Sequence, residues 1–358
     1  MTFIADLQAL VECQSPTEDL AACTRVVNLA AEIAARVLGS PAQVIDEKGR
    51  PVFWWGSKEP KIVLLAHLDT VWPHDSFDPL WSIEGDIARG PGIFDMKAGF
   101  LQALYAVAEI PHAEQSLAII ATTDEEVGSQ TSRELIERVA KGASAVLVLE
   151  ASLRGKVKTG RKGTAMYRIA ITGRAAHAGL EPEKGINATA EIARVVSQVI
   201  ALENSEHGTT VVPTTMQSGT TTNTVPAIAT LDLDIRSYLQ SELIRVDTAV
   251  RGLSASHPEA KIEITGGMNR PPLEPSSTIK LYEILEKVAQ KIGMQPIGHA
   301  SVGGASDGNF AAAAGAPTLD GLGAVGDGAH APHEQIHLSS VPDRISLLTA
   351  FIKELIRE

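Results

Sequence analysis

A mostly parallel α/β sheet flanked by helices, interrupted by a small α+β sandwich, is the architecture the sequence predicts. Three observations carry it. Short apolar runs such as "KIVLLAH" and "SLAIIATT" alternate with helical periodicity, the pattern of strands buried on both faces of a parallel sheet. Near residue 156 the rhythm changes to antiparallel-type strands in the order β-α-β-β-α-β, which suits a ferredoxin-like sandwich. After "GGMNRPPLEP" the α/β rhythm resumes. The 358 residues also exceed what one hydrophobic core usually serves. We therefore expect a discontinuous main domain, residues 1–157 and 272–358, with residues 158–271 inserted.

The first long helix is expected at 19–39, preceded by Ser15, Pro16 and Thr17 and stopped by Gly39. Strands follow at 43–47, 51–55 and 61–66, then a long loop over 67–95 rich in Pro, Gly, Asp and Trp. Lys97 opens an apolar helix to about 110, followed by strand 116–123, helix 130–141 and strand 145–150. In the insert, "KVKTGRKGTAMYRIAITG" and "TTMQSGTTTNTVPAIATLDLDIRS" read as strands around the helical "NATAEIARVVSQVIALEN". A helix at about 240–254 and a strand at 260–265 complete it. Helix 277–292, strand 295–299, helix 306–314, strand 317–320 and a helix near 340–356 close the chain.

Composition narrows the function classes. The net charge of −12 argues against nucleic acid and anionic membrane as partners. No apolar run reaches the roughly 18 residues of a membrane span. The N-terminus "MTFIADLQALVECQ" has an early Asp6 and no basic start, unlike a signal peptide. Cys13 and Cys23 have no metal-ligand spacing and read as thiols in a reducing, cytoplasmic setting.

In an open parallel sheet, functional groups gather where strands end. His67 and Asp69 follow the strand 61–66, and Asp95 lies in "GPGIFDMK" before a helix. Glu125 and Glu126 end "LAIIATTDEE", Glu150 ends "SAVLVLE", and His330 lies in "GDGAHAPHE". Taken singly, each reads as a strand-end histidine or a solvated acid. Together they do not, because clustered buried carboxylates cost several kcal/mol each at the order-of-magnitude level. One divalent cation relieves that repulsion, and two relieve it better. Nitrogen and carboxylate donors suit zinc, with cobalt or manganese as alternatives. Asp69, two positions along an extended segment, shares a face with His67 and can orient the imidazole. Glu125 and Glu126 are expected on an extended segment, one turned to metal and the other to substrate as a base.

The motifs "AHLDTV", "GPGIFDMKAG", "TTDEEVGS", "VLE", "GRAAHAG" and "HAPHE" resemble, in order and context, those of the co-catalytic di-zinc aminoacylase and carboxypeptidase family. The resemblance covers nearly the whole chain. "MNRPP" and "GGASDGNFAAAAGAPTLDGLGAVGDGAHA" look closest to its glutamate carboxypeptidase (carboxypeptidase G-type) branch. The resemblance implies one metal held by His67, Asp95 and Glu150 and another held by Asp95, Glu126 and His330. Asp95 would bridge them, Glu125 would be the general base, and the Asp95–Met96 peptide would be cis. His333 stands where relatives often have asparagine and is given no ligand role, while Glu334 fits the family's acidic position.

The resemblance also implies that the insert is a lid and dimerisation domain. Its His177 is implied to reach the partner subunit's active site in a homodimer and hold the developing oxyanion. Asn223, Arg236 and Arg270 match positions that contact substrate, although Arg236 reads equally as a strand arginine pairing Asp232 or Asp234. Lys156, Arg161 and Lys162 read as a solvated hinge face, and Trp72 as a wall beside His67. "GGASDGN" lacks the P-loop lysine and the dinucleotide fingerprint, and Ser306 sits in no nucleophile elbow. Three functions stay open. One is a carboxypeptidase or amidohydrolase releasing glutamate or a similar residue from a small peptide or N-acyl amino acid. Another is a deacylase of the acetylornithine or succinyl-diaminopimelate type. The third is a non-catalytic, metal-stabilised binding protein.

Overall fold

The structure, a computed structural model, describes residues 2–357 and divides into two compact units. The first comprises the chain up to Arg161, Leu273–Val302 and the chain from Ser306 onward; the second comprises Lys162–Pro272 with Gly303–Ala305.

The first unit is built on a six-stranded sheet in the order Gln43–Glu47, Arg50–Gly56, Leu117–Thr122, Ile62–His67, Ala145–Val148, Thr318–Leu319. The last four run parallel, and the first two close one edge antiparallel. Every residue of Ile62–His67 and Leu117–Thr122 is buried. That is why these strands read as continuous apolar runs rather than alternations. Leu64 lies level with Ile119 and Leu147. The helices Leu20–Leu38, Ala98–Ala108 and Val341–Arg357 contribute Val26, Ala30, Leu101, Leu104, Leu347 and Phe351 to the core that includes Leu64 and Leu147. The helix Leu20–Leu38 is capped by Asp19, whose side chain accepts from the Ala22 amide, and ends at Gly39 in the left-handed conformation.

Two departures from the sequence reading bear on the site. The expected loop 67–95 contains a hairpin, Ser82–Glu84 with Ile87–Arg89, and its second strand pairs with Gln335–His337. Three-residue strands give too little periodicity to be read from sequence. The strand expected at 295–299 lies instead at His299–Val302 and pairs in parallel with Val157–Arg161. That pairing keeps residues 158–161 in the first unit, so the boundary falls after Arg161 rather than after residue 157.

The second unit is a four-stranded antiparallel sheet in the order Thr210–Ser218, Ile228–Ser237, Gly163–Thr172, Lys261–Arg270. The helices Ala188–Ile200 and Gln240–Arg251 complete the β-α-β-β-α-β order. Ile228–Ser237 alternates strictly between buried and more exposed positions, as a sheet covered on one face requires. Leu231, Leu233 and Ile235 pack with Ile192, Val195, Leu243 and Val246.

Glu191 ties this unit together. Its carboxylate accepts from the amides of Ser256 (2.8 Å) and His257 (3.1 Å), from the Ser256 hydroxyl, and from Arg194 at 2.8 Å. Burial opposes its ionisation, yet these donors win and hold its pKa at about 2. A folded-state value below the unfolded one stabilises above the unfolded pKa, and the stabilisation is lost as pH falls through about 2. Glu191→Gln is expected to lower unfolding free energy near neutral pH by about 2–3 kcal/mol. Denaturant melts at successively lower pH should show the gap closing between about pH 4 and pH 2.

Candidate active site

The site forms where the parallel strands of the first unit end. His67 closes Ile62–His67 with its side chain 2% exposed. Its Nδ1 lies 3.0 Å from the main-chain oxygen of Asp69 and 3.4 Å from the Asp69 Oδ1. The nearer oxygen is a carbonyl, which can only accept, so Nδ1 donates to it and Nε2 is turned toward the Asp95 carboxylate. The orienting group is thus chiefly the Asp69 backbone carbonyl rather than the carboxylate expected from sequence. The carboxylate does a second job: its Oδ2 accepts from the Thr17 hydroxyl (2.8 Å) and the Glu126 amide (3.2 Å). Its Oδ1 is buried without a hydrogen-bond partner.

Asp95 is delivered by the turn Ile93–Lys97, and the Asp95–Met96 peptide is cis. The turn needs Gly92 before it. Gly92 has φ +69, and a Cβ there would fall 2.4 Å from the Thr70 methyl. Glu334, fully buried, accepts from the amides of Gly92 (2.9 Å), Phe94 (2.9 Å) and Asp95 (3.0 Å) and from the Trp72 indole (2.7 Å). The Gln335–His337 strand of the small sheet brings Glu334 to this turn. Trp72 is thus a donor to Glu334 and stacks edge-on against Phe77. Burial pushes the Glu334 carboxyl up to about 7, against the pull of the amides.

The two oxygens of Asp95 face two histidines. Oδ1 is 3.2 Å from His67 Nε2, and Oδ2 is 3.4 Å from His330 Nε2. Burial opposes its ionisation, but contacts with His330 and His67 hold its carboxyl well below the usual carboxylate range. His330 is half exposed and adopts φ +61, an uncommon left-handed conformation for a non-glycine residue. Contacts with Asp95 and Glu126, whose Oε2 lies 3.1 Å away, push its pKa up to about 10.

Glu125 and Glu126 lie in a single 3-10 turn, Glu125–Val127, not on the extended segment expected from sequence. Asp124 causes the turn. Its carboxylate accepts from the Thr131 amide (2.8 Å) and hydroxyl (2.6 Å) and from the Ser132 hydroxyl (2.5 Å), pulling the chain back on itself. Even so, the two glutamates fall in different donor groups. Ligand atoms of His67, Glu125 and Glu150 lie within 4.8 Å of one another, as do those of Asp95, Glu126 and His330.

Glu150 Oε1 is 3.7 Å from His67 Nε2. Its Oε2 accepts from Arg161 Nη2 at 2.9 Å, with Lys158 Nζ 3.8 Å away. Arg161 is therefore buried in an ion-pair network, not part of a solvated hinge face; Lys156 is exposed. Sequence reasoning missed Arg161 as a neighbour of the site because a basic cluster usually marks surface. The available signal was the alternation of a strand, which turns 157, 159 and 161 to one side. Gly323 permits the close fit, since a Cβ there would lie 2.1 Å from the Leu149 oxygen and 2.8 Å from that of Glu150.

The other candidates belong to the second unit. His177 pairs across from Thr224, and the carbonyl of Asn223 accepts from the Ala178 amide. Nδ1 of His177 accepts from the amides of Gly179 and Leu180, both at 3.1 Å. Arg270 ends Lys261–Arg270 and is buried. Arg236 forms a fork on Asp234, at 2.9 and 3.1 Å, with a further bond to the Gly303 carbonyl.

Strand ends of a parallel sheet carrying two adjoining groups of imidazole and carboxylate donors are the architecture of a metal-dependent hydrolase. Residues 63–354 match peptidase family M20/M25/M40, and the chain belongs to that family. It is 30% identical to carboxypeptidase G2 of Pseudomonas sp. (strain RS-16) over 312 residues, 82% of this chain and 74% of that protein. It is 25% identical to a succinyl-diaminopimelate desuccinylase of Nitratiruptor sp., over 82% of each. Among solved structures, aminopeptidase PepT from Bacillus cereus ATCC 10987 shares the fold. Its TM-score is 0.80 at 22% identity, over 99% of this chain and 98% of that one.

Proposed function

We propose that this hydrolase cleaves an amide bond to release a C-terminal amino acid, glutamate or one similar, from a small peptide or N-acyl amino acid. The observation that carries the reading is Asp95, with one oxygen turned to each histidine. The donor set fits two divalent cations. His67, Asp95 and Glu150 would hold one, and Asp95, Glu126 and His330 the other. The second set is one of the clustered donor groups, and in the first His67 Nε2 lies 3.2 Å from Asp95 and 3.7 Å from Glu150. Both mix nitrogen and oxygen donors, which zinc favours, with cobalt or manganese as alternatives. When bound, the metals supply a Lewis acid and bring a water's pKa toward neutrality.

The protein's own residues do the rest. Glu125, beside His67 and Glu150, takes the proton of the attacking water and passes it to the leaving amine. Asp69 and its carbonyl keep His67 in the tautomer that leaves Nε2 free. His177 accepts two amides on Nδ1, so the neutral ring carries its proton on Nε2, a donor for the developing oxyanion. It serves the partner subunit's site in a homodimer formed through the inserted domain. Arg270 and Asn223 grip the α-carboxylate of the released amino acid. Arg236 takes part at the substrate's rim only if it leaves Asp234. Both cysteines are free thiols, which supports a cytoplasmic setting.

A deacylase reading is favoured by the similarity to the desuccinylase. Hydrolysis of N-acyl-glutamate, N-acetyl-ornithine and simple dipeptides, run side by side with measurement of metal content, separates the two. The first reading expects N-acyl-glutamate to have the highest kcat/KM and about two metal equivalents per chain. Preference for the ornithine derivative favours the deacylase, and protein without divalent metal defeats both.

A further inference from the structure

Arg161 makes more contacts than a structural ion pair needs. Its Nε and Nη2 form a two-pronged fork on Asp320, both at 2.8 Å, and that fork alone would satisfy a buried arginine–aspartate pair. Yet Nη2 also donates to Glu150 Oε2 at 2.9 Å. Asp320 is itself fully buried, and its Oδ2 accepts from the Ser306 hydroxyl at 2.6 Å. Its position is fixed by the backbone: the Lys158 amide donates to the Asp320 oxygen at 2.8 Å, joining the strand of Arg161 to the end of Thr318–Leu319. The consequence is an asymmetric Glu150. Oε2 is tied back to Arg161, with Lys158 3.8 Å away, and Oε1 is the oxygen that looks toward His67.

Resting on the reading of Glu150 as a metal ligand, we infer that Ser306, Asp320 and Arg161 form a positioning chain. It holds Glu150 as a one-oxygen ligand and so tunes the His67-side metal without touching the His330-side one. A lysine at 161 keeps the charge but cannot span both carboxylates, because only the planar guanidinium presents donors to two partners at fixed angles. Loss of the chain lets Glu150 turn, and outer hydrogen-bond partners of metal ligands are typically worth 10–100-fold in affinity.

The test is zinc titration of the metal-free, full-length protein against a competing chromophoric chelator, for wild type, Arg161→Lys, Asp320→Asn and Ser306→Ala. Wild type is expected to take two equivalents tightly. Arg161→Lys and Asp320→Asn should keep one tight site and weaken the other about 10–100-fold. Ser306→Ala removes one bond and no charge, guards against a misfolded charge variant, and should weaken the same site by a smaller factor. Added to His330→Ala, which leaves only the His67-side site, Arg161→Lys should weaken that remaining site. Two unchanged affinities alongside a lower Tm of the metal-free protein would reduce the network to a structural pair and overturn the inference. Equal weakening of both sites overturns it too. Wild type without zinc uptake defeats the metal reading itself, a different failure seen before any variant is compared.

Discussion

Glu125→Gln is expected to remove nearly all hydrolysis while the protein keeps its full metal content. Glutamine matches the shape of glutamate but cannot take a proton. The proposed mechanism uses Glu125 twice, once on the attacking water and once on the leaving amine. General acid–base catalysis contributes about 10²–10⁴-fold, so kcat should fall by roughly a thousandfold with KM nearly unchanged. The substitution should leave the fold intact. Glu125 sits in a turn held by Asp124 through Thr131 and Ser132, and none of those bonds uses the Glu125 side chain. Glu126, the neighbouring ligand candidate, has its amide held independently by Asp69. Steady-state kinetics on an N-acyl amino acid, with elemental analysis of the same sample, reads both quantities. A variant that keeps more than about a tenth of the activity would remove Glu125 from the chemistry. If ligand binding were the whole function, the substitution would leave it intact, which is how the non-catalytic reading is separated.

The sequence carried the strand ends well, for a physical reason. Buried parallel strands read as unbroken apolar runs, so the point where His67, Glu125 or Glu150 interrupts one is visible without coordinates. Long-range partners were not legible in this way. Arg161 meets Asp320 across 159 positions, and Glu334 meets the Asp95 amide across 239. No local periodicity encodes either meeting, and a buried arginine looks like a surface one until its carboxylates are found. Turn geometry was misjudged for a related reason. The "TTDEEVGS" stretch reads as the frayed end of a strand, but Asp124 bonds forward to Thr131 and Ser132 and coils it into a helical turn. The two glutamates still fall in separate donor groups, although the backbone that carries them is a helical turn and not an extended segment. The family motifs supplied the assignment of metal ligands, which strand ends alone left open. They included Glu334 in "HAPHE" but not the small sheet, in which Gln335–His337 pairs with Ile87–Arg89, that brings it to the Asp95 turn.

Asp95→Asn is expected to remove both metals together, which no ligand confined to one group can do. Asparagine keeps the size of aspartate but offers one oxygen and one amino group. With two imidazole nitrogens flanking the side chain at 3.2 and 3.4 Å, the amino group must face one of them as a donor, and the remaining oxygen carries no full charge. Each donor group thus loses either its shared acid or that acid's charge. His330→Ala, by contrast, leaves His67, Glu150 and Asp95 in place and should retain about one equivalent. Metal content should therefore fall from about two equivalents to nearly none in Asp95→Asn, with activity lost beyond detection. Thermal melts give a second reading. A cation at a thousandfold excess over its dissociation constant stabilises the fold by about 4 kcal/mol, so chelator should lower the Tm of the wild type clearly and that of Asp95→Asn hardly at all. The two substitutions together form a sharper test than either alone. If Asp95→Asn behaves like His330→Ala and keeps one equivalent, Asp95 serves a single metal, and the chemistry must be rebuilt around one cation with Glu125 among its neighbours.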